Sequence, residues 1–143
     1  MEVAAGGDHA PRERWKNLGW SVIDSHSVSA TERDYHSYVC SSRGEFSVAK
    51  NVYAATHCGW FSCRSVCYLA AGRPVVVQDT GFSKLFPVGQ GLLAFTCLEE
   101  AAAGVNQVEN SYAVHQAAAR SLALEFFDCR RVLSEMMGHI GLG

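Results

Sequence analysis

The feature that most constrains this chain is the run Pro74-Val75-Val76-Val77-Gln78. Adjacent β-branched residues with no polar alternation predict a strand covered on both faces, and such strands belong to parallel sheets whose crossovers lay helices on either side. A second short apolar run, Gly91-Leu92-Leu93-Ala94-Phe95, repeats that signature, and Trp20-Ser21-Val22-Ile23-Asp24 is a shorter, half-apolar strand candidate. Helix signals alternate with these strands. Ser62 to Ala71 predicts a helix with Val66, Leu69 and Ala70 on one face, stopped by Gly72 and Pro74. Ser27 or Ser29 is placed to cap a helix reaching about residue 41, with Tyr35, Tyr38 and Val39 at helical spacing. Glu45 to Val52 reads equally as strand or helix.

Downstream, Thr96 predicts a capped helix with Glu99 as its capping-box partner and Glu100 at the positive end. Tyr112 to about Met137 reads as helical with a break near Phe127-Asp128. Asp128 caps the last helix, whose expected inward face is Val132, Leu133, Met136 and Met137. Residues 1–14, with Gly6-Gly7 and the polar run Pro11 to Arg14, read as a loose tail before a single domain over 15–143. The expected fold class is therefore α/β, a partial Rossmann-like parallel sheet with flanking helices. Three or four strands are visible in the sequence, where a doubly wound domain has about six.

Composition narrows the partners. Twelve Lys plus Arg against fourteen Asp plus Glu give a net charge of −2, which leaves no basic excess to neutralise a phosphate backbone, so nucleic acid is not an expected partner. The longest apolar stretches, Val66–Ala71 and Pro74–Val77, are too short to span a bilayer. Residues 1–11 carry Glu2 and Asp8 and no apolar export segment. A cytoplasmic, reducing location is expected, and with it free thiols rather than a disulfide framework. Cysteines at 40, 58, 63, 67, 97 and 129 match no paired-CxxC zinc template. His57-Cys58 with Cys63 and Cys67 is the densest cluster; Cys63 and Cys67 read as small apolar residues on a helix rather than as ligands, and no metal site is expected. His26, His36 and His115 are expected on loop or helix surfaces, without a spacing that names a triad. No GxxxxGK[ST] or GxGxxG string occurs.

Ligands of open α/β sheets bind beyond the carboxyl ends of the strands. Three segments fall there. Gly59-Trp60-Phe61-Ser62-Cys63-Arg64 enters a helix, whose amino end and dipole attract an anion while Arg64 offers a fork to phosphate oxygens. Asp79-Thr80-Gly81-Phe82-Ser83 follows the valine strand with a carboxylate, two hydroxyls and an aromatic ring. Glu45 to Lys50 supplies a further carboxylate and, in Lys50, a phosphate counter-charge. Each also has a plain structural reading as turn, solvated charge or core. Jointly they point to a phosphate-bearing small molecule.

Gly44 to Tyr53, Gly59 to Ser65, and Tyr68-Leu69-Ala70-Ala71-Gly72-Arg73-Pro74-Val75-Val76-Val77-Gln78-Asp79-Thr80-Gly81-Phe82 resemble the C-terminal half of bacterial glycosyltransferases of the GT-B, family 4 type. The resemblance covers residues 15–137 and is distinctive from Gly44 to Phe95. It implies the C-terminal lobe of a GT-B fold, which binds a nucleotide sugar as substrate, with no separate cofactor. It also implies that Gly59–Arg64 approaches the donor diphosphate, that Asp79–Phe82 lies near the transferred sugar, and that Ala70–Val75 closes the helix beneath. The family's two donor-site glutamates fall on Gly59 and Cys67, and a third falls on Lys84, leaving Glu45 or Asp79 as the candidate replacements. In such enzymes an acceptor-binding lobe precedes the donor lobe. The expectation is therefore a chain with little transferase activity alone, paired with a missing lobe or a second copy. The alternative reading is a non-catalytic interaction or dimerisation module descended from such a domain.

Overall fold

The computed structural model describes residues 1–141 and is α/β, with two parallel sheets flanked by helices in a Rossmann-like arrangement. The chain divides into two compact units, Met1–Ser41 and Ser42–Gly143. The boundary therefore lies after residue 41, not after residue 14.

In the first unit β1 (Glu2–Ala5) pairs in parallel with β2 (Ser21–Asp24), and α1 (Arg12–Asn17) forms the crossover between them. The expected loose tail is thus a strand and the start of a helix. Arg12 helps tie it down, donating to the carbonyls of Ala5 and Gly7. The next helix signal splits in two. Asp24 caps α2 (Ser25–Ser29), and Thr31, not Ser27 or Ser29, receives the Asp34 N–H at the start of α3 (Glu32–Ser41).

The second unit holds a three-stranded sheet in the order β3 (Glu45–Ser47), β4 (Val75–Gln78), β5 (Leu92–Phe95), all parallel. The ambiguous segment resolves as both alternatives in turn, β3 and then α4 (Asn51–Thr56). The valine run occupies the centre. Val75, Val76 and Val77 are all buried, as a strand covered on both faces requires. On one face Val76, Leu93 and Phe95 pack with Ala101 and Val108 of α6 (Leu98–Asn110). Gly104 lets α6 approach closely, because a Cβ there would sit 3.3 Å from Val76. α5 (Cys63–Ala70) packs against β4 and against α7 (Tyr112–Phe126). The buried stripe of α5 is Ser65, Tyr68 and Leu69, so it is rotated from the expected Val66, Leu69 and Ala70 face; Ala70 is exposed.

Gly91 shows why β5 begins where it does. At φ +73° its position would place a Cβ 2.3 Å from the Ala119 nitrogen of α7, so only glycine lets the two backbones meet. Its N–H donates to His115 Nδ1 at 3.1 Å. His115 is therefore buried rather than on a surface, and burial pushes its pKa below the ordinary histidine value. Two further expectations change at the helices. Cys97 occupies the N-cap position of α6, and Glu100 rather than Glu99 reaches back, accepting from the Thr96 N–H and hydroxyl. The last helix, α8 (Cys129–His139), is capped by Asp128 as expected, yet none of its residues is buried. Val132, Leu133, Met136 and Met137 stand exposed, so no described element covers the expected inward face.

Candidate functional site

A cleft of about 290 Å³ opens at the carboxyl ends of β3 and β4. This is where parallel α/β sheets present loops and helix amino ends together. Ser47 and Val48 enter it from the end of β3, Lys50 and Tyr53 from the start of α4, Gln78 from the end of β4, and Arg64 and Ser65 from α5. The loop Trp60-Phe61-Ser62 forms a further wall. Ser62 caps α5, its hydroxyl accepting the Arg64 N–H at 3.2 Å, which turns the amino end of that helix toward the cleft.

The loop is held to the turn after β4. Gly59 N–H donates to the Thr80 carbonyl at 2.8 Å, and the Thr80 hydroxyl donates back to the Trp60 carbonyl at 2.6 Å. Thr80 is fully buried to do so. Gly81 follows at φ +99°, with His57 of the α4 terminus so close that a Cβ would sit 2.8 Å from its carbonyl oxygen. Phe82 is a core residue here, and Phe61 is half-buried against it. Phe61 packs on Phe82, Phe86 and Phe127 with ring centroids 5.1, 5.4 and 5.7 Å apart. Trp60, one residue earlier, stacks on Tyr53 at 5.0 Å and 20° and remains 48% exposed.

Of the eleven candidate site residues, Lys50, Trp60, Phe61, Ser62, Arg64, Thr80 and Phe82 line the cleft; Glu45, Gly59, Asp79 and Gly81 do not. Neither candidate replacement carboxylate is placed there. Glu45 points from β3 onto α5, where Arg64 Nε donates to its Oε1 at 2.7 Å. Its side chain is 4% exposed against 51% for Arg64, and its Oε2 is buried without a hydrogen-bond partner. Arg64 is thus a cleft residue and at the same time the counter-charge of a buried carboxylate. Asp79 closes its own turn, accepting from Gly81 N–H at 2.8 Å, Ser83 N–H at 3.4 Å and the Ser83 hydroxyl at 2.5 Å. Burial pushes the Asp79 carboxyl up, but those bonds, with His57 nearby, outweigh it and hold it below the ordinary aspartate value. Its role is to start the 3-10 turn Phe82–Lys84.

The sequence reading missed Tyr53 and Gln78. Tyr53 sits three residues beyond Lys50, on the same helical face, and that spacing was available once a helix was assigned there. Gln78 is the last residue of a parallel strand, the position nearest any ligand beyond the sheet; its Oε1 accepts from Ala49 N–H at 3.1 Å. Among the described residues no group of three or more His, Cys, Asp or Glu side chains is arranged to hold a metal ion. The Cys58 thiol instead lies 3.9 Å from the Tyr53 carbonyl. No helix among those residues is long and apolar enough to cross a membrane. Comparison with family models, with curated proteins and with solved structures finds no match for this chain.

Proposed function

We propose that the cleft beyond β3 and β4 binds a nucleotide sugar, and that the chain is the donor-binding part of a glycosyltransferase. The observation that carries the reading is the convergence, in one cleft at strand carboxyl ends, of Lys50, Arg64, the amino end of α5 and the exposed ring of Trp60. Cations and a helix amino end suit a diphosphate. The sugar-transfer part of the proposal rests on the resemblance carried by residues 44–82. In that role the chain's own contribution is electrostatic. Lys50, Arg64 and the α5 amides stabilise the negative charge that grows on the departing diphosphate, in a site prepared before the reaction begins. The acceptor hydroxyl and its base are not assigned to residues of this chain.

Saturation-transfer NMR against UDP, GDP, ADP and TDP, with and without their sugars, tests the reading. Transfer to one nucleotide family is expected, weakened about tenfold by Lys50→Ala, as befits loss of a charge-assisted bond. Lys50 is exposed and makes a cleaner control than Arg64, whose removal also strands the buried Glu45. Silence across the panel from a folded chain overturns the proposal. One observation favours a second reading, an interaction or dimerisation module: the exposed apolar row Val132, Leu133, Met136 and Met137 on α8. Concentration-dependent mass in sedimentation, without nucleotide, supports that reading.

A further inference from the structure

Trp60 and Phe61 are neighbours with opposite fates. Phe61 anchors its loop by entering a cluster with Phe82, Phe86 and Phe127. The core is thereby closed without Trp60, which keeps 48% of its surface exposed although tryptophan is highly buried on average. Its ring is nevertheless held. One face lies on Tyr53 at a centroid distance of 5.0 Å and an angle of 20°, and the Trp60 carbonyl accepts from the buried Thr80 hydroxyl. Gly59, preceding it, is bonded to Thr80 as well. An aromatic surface fixed in this way is prepared for a flat partner, because the ordering cost is met by the fold and not by binding.

Resting on the nucleotide reading above, we propose that the uncovered face of Trp60 is the stacking surface for the nucleobase, with Tyr53 as the ring behind it. A base on that ring would continue the stack Tyr53–Trp60, and Tyr53, Trp60, Lys50 and Arg64 all line the one cleft, which brings its phosphates within reach of the two cations. The cleft, at about 290 Å³, is at the small end of ligand cavities, a scale that suits one base with its phosphates rather than a dinucleotide. Stacking reads a ring more than a hydrogen-bonding edge, so Trp60 contributes affinity with little choice among bases. Choice among them falls to polar groups such as Gln78 at the cleft wall.

The test compares the parent chain with Trp60→Leu, Trp60→Phe and Tyr53→Leu, each checked for folding by circular dichroism. Dissociation constants are measured for a nucleoside diphosphate, its sugar derivative, the matching sugar 1-phosphate and inorganic pyrophosphate. Trp60→Leu is expected to weaken the nucleoside diphosphate and its sugar derivative equally, by about tenfold or more, and to leave pyrophosphate unchanged. Trp60→Phe is expected to retain most of the affinity, and Tyr53→Leu to lose a smaller part. Loss confined to the sugar derivative and the sugar phosphate overturns the assignment, because the ring then carries the sugar. Unchanged affinities in Trp60→Leu also overturn it while leaving the nucleotide site standing. No binding by the parent chain overturns the site itself, and this inference with it.

Discussion

Two helices of this protein begin with nearly the same local sequence and end differently. Ser62-Cys63-Arg64 opens α5, and Asp128-Cys129-Arg130 opens α8; in each the cap side chain accepts the N–H of the arginine. Beyond the cap they diverge. Arg64 reaches across to the buried Glu45 of β3, whereas Arg130 folds back onto Asp128, its own cap, at 2.8 Å. Leu69 of α5 is completely buried, and Leu133 of α8 is 57% exposed. Caps and apolar periodicity therefore make a helix in both places. Only a facing surface makes one of them part of the core.

The largest expected contrast lies in these leucines. Leu69→Ala removes a fully buried side chain from the helix that packs on β4 and α7 and is expected to cost about 3–5 kcal/mol, transfer and cavity together. Leu133→Ala is expected to stay within about 0.5 kcal/mol, as exposed positions do. Denaturant midpoints at constant slope decide the matter. A Leu133 cost approaching that of Leu69 would mean that α8 is docked in solution.

A smaller contrast is expected for the arginines. Arg64→Met leaves Glu45 buried without its counter-charge and is expected to cost about 1–3 kcal/mol, discounted because Arg64 itself is half exposed. Adding Glu45→Gln should recover most of that loss. Arg130→Met is expected to leave the unfolding transition where it was. A double-mutant cycle in which Glu45 and Arg64 prove additive would remove the ion pair from the account of how α5 is held.

The smallest effect is confined to the first turn of α8. Bonds from the Arg130 side chain and N–H hold the Asp128 carboxyl down at about 2, against an ordinary 3.8. A carboxylate depressed in the folded state stabilises above its unfolded value and loses that contribution as pH falls through the folded value. Amide-exchange protection at the start of α8 is thus expected to decline from about pH 4 toward pH 2. Asp128→Asn should flatten that dependence. An Asp128 carboxyl that titrates in the ordinary aspartate range by NMR would show the cap to be unmade.

Signals that act over a few residues were legible without coordinates. The valine run was read as a strand of a parallel sheet, Ser62 as the start of a helix, Asp128 as a cap, and Gly91 to Phe95 as a strand. β1 escaped because Glu2-Val3-Ala4-Ala5 is short and becomes a strand only through its register with Ser21–Asp24. Glu99 and Glu100 were exchanged because the cap falls one residue later than Thr96, and position alone decides which carboxylate can reach back.

The candidate site follows the same division. Residue types announced anion chemistry near Lys50, Ser62 and Arg64, and those three do meet in one cleft. Asp79 has its partners within four residues, and its reading as an ordinary turn was available. Nothing within a few residues of Glu45 or His115 tells which partner each will meet. Glu45 of β3 met Arg64 of α5, Asp79 met its own turn, and His115 met the amide of Gly91, just before β5. Local signals were enough to mark the starts of α5 and α8 and to make strands of β4 and β5, because capping and β-branching are local energies. Which faces are covered and which charges stay available was decided by tertiary structure alone, since burial and ion pairing depend on residues far away in the chain.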